Sequence, residues 1–171
     1  TISKRIVHPK LIFPNDTGNK KKKERKFKNL VQKEFQSLKF KQENFIQKIE
    51  QLINQYQIDP SLLELEITES SMTNVKETTA ILKDLKKLGV YVSVDDFGTG
   101  YSSLSYLKTY PIDIIKIDQS FIADIEKDKK NEAIIKAIIL LSQNLGLEVI
   151  AEGVEEKNQE QFLLKNHCQK V

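Results

Sequence analysis

From about residue 42 onward, apolar positions follow two alternating rhythms. Phe45, Ile49, Leu52, Ile53 and Tyr56 recur at helical spacing, and Asp59-Pro60 marks the end of that helix. Leu62 to Thr68 then alternates, with Leu63, Leu65 and Ile67 on one face and Glu64 and Glu66 on the other, which predicts a strand. A second helix is predicted from about Asn74, with Ile81, Leu82, Leu85 and Leu88 on its apolar stripe and Gly89 as its cap. The β-branched run Val90 to Val94 predicts a second strand, leading into Asp95-Asp96-Phe97-Gly98-Thr99-Gly100. Ser102 to Lys108 suggests a short helix, and Ile112 to Ile117, after Pro111, a third strand. Asn131 to Leu145 reads as a long helix, apolar nearly all round and closed by Gly146. Leu147 to Ala151 is the fourth strand, and a last helix is expected over about Lys157 to Lys165. Repeated strand–helix alternation is most simply met by parallel strands with crossover helices.

The start of the chain lacks this rhythm. Its apolar residues cluster at Ile6-Val7 and Leu11-Ile12-Phe13 without a sustained period. Residues 1–30 carry ten Lys/Arg against two acids, whereas residues 31–171 carry 17 basic and 22 acidic side chains. The formal net charge of +3 therefore hides a basic segment, expected to be poorly ordered, ahead of an acidic domain at 31–171. A nucleic-acid arm is one reading of the Lys20 to Lys23 run. A solvated charge run is the plainer one, because no aromatic residues are interleaved.

Composition excludes several classes. With 39% hydrophobic and 30% charged residues among 171, the chain can bury a core. Its one cysteine, Cys168, leaves no internal disulfide and no cysteine-based zinc site, and His8 and His167 are too few for a histidine-rich centre. The longest apolar run, Ala137 to Leu141, is far short of the roughly 20 residues that span a bilayer. No signal-peptide pattern opens the sequence, so cytoplasmic chemistry is expected. No Gly-x-Gly-x-x-Gly lies between a strand and a helix, which argues against a dinucleotide site.

Acids at the strand ends carry the functional argument. Successive strands finish at Glu66, at Asp95-Asp96, at Lys116 with Asp118, and at Glu152 with Glu155. The separations of 29, 23 and 34 residues from 66 to 95 to 118 to 152 are each about one βα unit. In a parallel barrel or open α/β sheet, such strand ends share one face. Carboxylates gathered there repel one another unless a cation intervenes, and an all-oxygen, histidine-poor set suits Mg²⁺ or Mn²⁺. Such a centre fits phosphodiester hydrolysis: the cation neutralises phosphate oxygens and a carboxylate takes a proton from water. Lys116 would hold the water or stabilise the pentavalent charge. Each piece has a plainer alternative. Glu64 and Glu66 could be the wet face of a strand, Asp95-Asp96-Phe97-Gly98 an ordinary turn, Lys116 a surface partner of Asp113 or Asp118, and Glu152 and Glu155 exposed first-turn acids. The coincidence at four strand ends is what outweighs them.

Four ordered segments then resemble one family. Leu63-Glu64-Leu65-Glu66-Ile67-Thr68-Glu69-Ser70, Asp95 through Leu104, Pro111 through Phe121, and Ala151-Glu152-Gly153-Val154-Glu155 closely resemble the bacterial EAL domain. The resemblance covers about residues 42–171 and implies a modified, TIM-type (β/α) barrel. It also implies Mg²⁺- or Mn²⁺-dependent hydrolysis of cyclic di-GMP to linear pGpG in bacterial second-messenger signalling. By similarity, Glu66, Asp95 and Asp96 look like metal-site acids, and Lys116, Asp118 and Glu152 like catalytic residues. Glu155 looks like a supporting acid, and Glu69 like the residue steadying the Asp96–Ser102 loop. A homodimer, and a sensory or diguanylate-cyclase domain in a longer parent, belong to the same resemblance.

The sequence also departs from the family pattern. No segment of residues 1–30 reads as the Glu-Ala-Leu motif whose Glu binds metal. The family's Asn ligand falls on Asn29 if about five extra residues follow it, and on Glu34 at the usual spacing. The chain stops just before the family's Gln-Gly-Tyr motif. The expectation is thus a partial barrel lacking the first strands and the last one: a truncated and inactive phosphodiesterase domain. The alternatives are a degenerate module that binds cyclic di-GMP or a protein without catalysis, and nucleic-acid binding through the basic segment.

Overall fold

A computed structural model of the chain describes residues 7–11, 44–68, 75–99, 107–168 and 170. It divides into two compact units, Thr1–Val92 and Ser93–Val171. The division falls inside one strand.

The first unit holds β1 (Val7–Leu11), α1 (Phe45–Tyr56), a 3-10 turn (Pro60–Leu62), β2 (Leu63–Thr68) and α2 (Val75–Lys87). β1 was not among the predicted strands. It lies within the basic segment and pairs antiparallel with β2, from Val7 opposite Ile67 to Leu11 opposite Leu63. Helix α1 buries Phe45, Ile49 and Ile53, spaced one turn apart, as the periodicity requires. It ends earlier than expected. Gln57 adopts a left-handed φ of 51°, and its N–H donates back to Asn54 and Ile53. Asp59-Pro60 instead opens the 3-10 turn, with Asp59 Oδ1 accepting from the Ser61 N–H at 3.0 Å. In α2, Thr78, Leu82 and Leu85 are buried.

β2 corrects one alternative reading. Leu63, Leu65 and Ile67 are buried as predicted, but Glu64 is only 1% exposed and Glu66 is half-buried. This strand has no wet face; both sides are covered, as in a barrel or doubly covered sheet. Glu64 Oε1 has no hydrogen-bond partner among the described residues.

The second unit contains most of β3 (Tyr91–Phe97), then β4 (Ile114–Ile117), α3 (Gln119–Ala123), α4 (Lys129–Asn144), β5 (Glu148–Ala151) and α5 (Lys157–Lys165). β3 pairs parallel with β4, and β4 with β5. All four residues of β4 are buried, which explains its unbroken apolar sequence around Lys116. The connecting helix α4 buries Ile135, Ile138, Ile139 and Ser142. Its apolar composition is not fully buried, since Ile134 and Leu140 are exposed. Helix α5 begins with a capping box, in which Gln159 Oε1 accepts from the Glu156 N–H at 3.0 Å. The short helix α3 escaped the periodicity because five residues are too few to show one. The architecture is α/β, with parallel strands and crossover helices. No helix among the described residues is long and apolar enough to cross a membrane.

Candidate active site

The second unit brings four of the predicted site residues together at the C-terminal ends of its parallel strands. The β3–β4 register runs Ser93 to Ile114 and Val94 to Ile115, then shifts so that Phe97 faces Ile117. β3 thus spends one extra residue there, and the bulge contains Asp95 and Asp96. Asp96 takes a left-handed φ of 54°, which Asp tolerates better than most side chains. Its N–H donates to Asp95 Oδ1 at 3.1 Å, and its carbonyl accepts from the Thr99 hydroxyl at 2.8 Å. The chain then turns at Gly98, whose φ is 96°.

On β4, Lys116 projects from a fully buried strand, and its side chain is 3% exposed. Its ammonium donates to Glu152 Oε1 at 2.8 Å. Glu152 follows β5 directly and extends the ladder, its N–H donating to the Ile117 carbonyl at 3.1 Å. Asp118, just beyond β4, caps α3: Oδ1 accepts from the Ser120 N–H at 2.9 Å and from the Ser120 hydroxyl.

Three carboxylates and one ammonium share this end of the strands. Although Asp96 is exposed, partial loss of hydration raises its pKa from the ordinary aspartate value. The neighbouring Asp118, by charge and by a hydrogen bond, adds to the rise, as does the charge of Glu152; Lys116 pulls the other way. The negative charge is therefore only partly offset.

The remaining predicted residues stand elsewhere. Glu66 is half-buried near the end of β2, in the first unit. Glu155 is exposed, and its N–H donates to Gln159 Oε1 at 2.9 Å, so its backbone belongs to the start of α5. Asn29, its alternative Glu34, and Glu69 lie outside the described residues, as do Lys20 to Lys23 and most of the Ser102–Lys108 helix. Lys116 is no surface residue, so the reading of it as an exposed partner of Asp113 or Asp118 is set aside. Ser120 went unnoticed as a site residue. The Asp-x-Ser spacing ahead of a helix was the available signal.

As donors, these carboxylates suit a hard divalent cation in chemistry. Among the described residues, however, no three Asp, Glu, His or Cys side chains form a group able to hold one. A separate hollow of about 270 Å³ is lined by Gln143, Leu147, Glu148, Val149, His167 and Lys170, around the opposite end of β5. It contains none of the predicted site residues.

Comparison with known proteins places these features in context. Residues 22–171 match the family model described as the EAL domain. Cyclic di-GMP phosphodiesterase NbdA of Pseudomonas aeruginosa is 44% identical over 129 residues, covering 75% of this chain and 16% of that protein. A solved structure of the PaMucR phosphodiesterase in complex with c-di-GMP has a TM-score of 0.72 and 39% identity, covering 75% of this chain and 53% of that one. Klebsiella pneumoniae BlrP1, solved as a manganese/cy-diGMP complex, has a TM-score of 0.69 and 28% identity, covering 74% of this chain and 33% of that one. The chain spans less than a fifth of the length of the first curated relatives it matches.

Proposed function

The chain belongs to the EAL-domain family, and from that premise we propose that it carries the hydrolytic centre for cyclic di-GMP, opening the ring to linear pGpG. The supporting observation is the Lys116–Glu152 pair beside Asp96 and Asp118 at adjacent parallel strand ends. In this reading Lys116 presents a fixed ammonium to the phosphodiester, where negative charge grows in the transition state. Glu152, held by Lys116, accepts the proton of the attacking water. The water oxygen forms a new P–O bond, one ribose–phosphate ester bond breaks, and the freed ribose oxygen takes up a proton. Asp118 orients the water and is itself held by Ser120.

Mg²⁺ or Mn²⁺, when bound, would neutralise phosphate oxygens and lower the pKa of a bound water. Asp95 and Asp96 are the residues we assign to hold it; Glu66 is a candidate ligand on its sequence motif alone. A second reading, in which the chain binds the dinucleotide without cleaving it, is supported by the lack of a Glu-Ala-Leu pattern among residues 1–30.

The test is chromatographic detection of pGpG from cyclic di-GMP with Mg²⁺ or Mn²⁺, alongside calorimetric binding. Hydrolysis that needs the metal and falls at least about 100-fold in Glu152→Gln supports the enzyme. Saturable binding without product, with or without metal, establishes the second reading. Neither product nor binding overturns both.

A further inference from the structure

Gly153 follows Glu152, and Gln119 follows Asp118. These two residues stand between the exits of adjacent strands β5 and β4. Gly153 has a φ of 73°, and a Cβ built on it would lie 2.6 Å from Gln119 Cβ and 3.4 Å from Gln119 Cα. The first distance is shorter than side-chain carbons tolerate. The two strand exits therefore meet with no clearance, one residue beyond each of two site acids. Nearby bonds transmit the spacing. The Glu152 N–H is tied to the Ile117 carbonyl at 3.1 Å, Glu152 Oε1 to Lys116 at 2.8 Å, and Asp118 to the first turn of α3.

We propose that Gly153 is a positioning residue: its close seat on Gln119 sets where Glu152 and Lys116 stand relative to Asp118. The proposal deepens the hydrolase reading and rests on it for its catalytic consequence. Restoring an ordinary 3.4 Å from 2.6 Å requires a shift of about 0.8 Å in one strand exit. A misplacement of about 1 Å costs on the order of 10²-fold in rate.

Gly146 supplies the control. Its φ of 71° is nearly that of Gly153, but among the described residues nothing lies within 4 Å of the Cβ position. Gly146→Ala thus carries the same backbone strain without the collision. Gln119→Gly removes the struck Cβ, whereas Gln119→Ala keeps it.

The experiment uses the full chain with ¹⁵N-labelled lysine and follows the buried, paired Lys116 ammonium by NMR. Its signal is expected in the wild type and in Gly146→Ala. It is expected to shift or vanish in Gly153→Ala and in Gly153→Ala with Gln119→Ala, and to return in Gly153→Ala with Gln119→Gly. Where the wild type makes pGpG, kcat follows the same order, falling about 100-fold while KM stays within a few-fold. The proposal is overturned by a wild type lacking the signal, by an unchanged signal in Gly153→Ala, by equal loss in Gly146→Ala, or by failure of Gln119→Gly to restore it. A wild type that makes no product sinks the hydrolase reading alone, because the ammonium signal reports the contact without turnover.

Discussion

Replacing Glu152 with Gln keeps the shape of the side chain and removes its charge, leaving the Lys116 ammonium inside the second unit without its carboxylate. At 2.8 Å the raw attraction between the charges is about 1.5 kcal/mol at the dielectric of water and about 6 kcal/mol at an effective value of 20. Net values are smaller because both groups lose hydration. Breaking a fully buried pair costs about 3–5 kcal/mol, and an exposed pair is worth about 0.2–1 kcal/mol. Lys116 is 3% exposed and Glu152 38%, so this pair lies between those limits. Asp96, within electrostatic reach of the same ammonium, moderates the loss further. The expected destabilisation is about 2 kcal/mol, or a fall in Tm of about 4–8 °C for a chain of this size. Urea unfolding of Glu152→Gln, Lys116→Met and the double variant measures it. Glu50→Gln, on the exposed side of α1, should stay within about 0.5 kcal/mol of wild type. The double variant should cost less than the sum of the two single variants, since the pair is lost only once. A Glu152→Gln chain within about 0.5 kcal/mol of wild type, or single-variant costs that simply add in the double variant, would refute the reasoning.

Two further outcomes follow from the titrating groups. The raised Asp96 pKa means that the native chain holds this proton more tightly than the unfolded chain. Its contribution is complete below the ordinary value of about 3.9 and is lost as pH rises through the raised one. Asp96→Asn should therefore be slightly more stable at pH 7, by an amount that solvent screening keeps small. That gain should vanish below about pH 3.9; equal urea midpoints at pH 7 would count against the crowding of Asp96 by Asp118 and Glu152. Cys168 is 1% exposed, and burial pushes its thiol up, against opposing backbone hydrogen bonds. Iodoacetamide at pH 8 should label it at least tenfold more slowly in the native chain than in urea. Its share of stability should fall as pH rises above about 8.5, where the unfolded thiol ionises first; equal labelling rates would contradict the burial.

The sequence by itself determined the elements and the chemistry at their ends. Helical spacing in α1, α2 and α4 and β-branched runs in β3 and β4 are local properties of the chain, readable without knowing what packs on what. The acids after those runs are legible for the same reason, since a strand end is a local event. Boundaries moved where a local competitor won, as at Gln57, where a left-handed cap ended α1 before Asp59-Pro60. Tertiary structure decided the rest. Glu64 looks solvent-facing by alternation, yet it is buried because β2 is covered on both faces, a fact no period-two pattern contains. β1 exists as a strand through its pairing with residues more than 50 positions away. The bulge that turns Asp96 out of register depends on β4 being shorter by one residue across the same span. Lys116 reaches Glu152 across 36 residues, and Gly153 meets Gln119 across a similar gap, because parallel ladders bring successive strand exits side by side. Sequence names the groups from local spacing; only the hydrogen-bonded register of the folded strands sets the ångström distances through which they act.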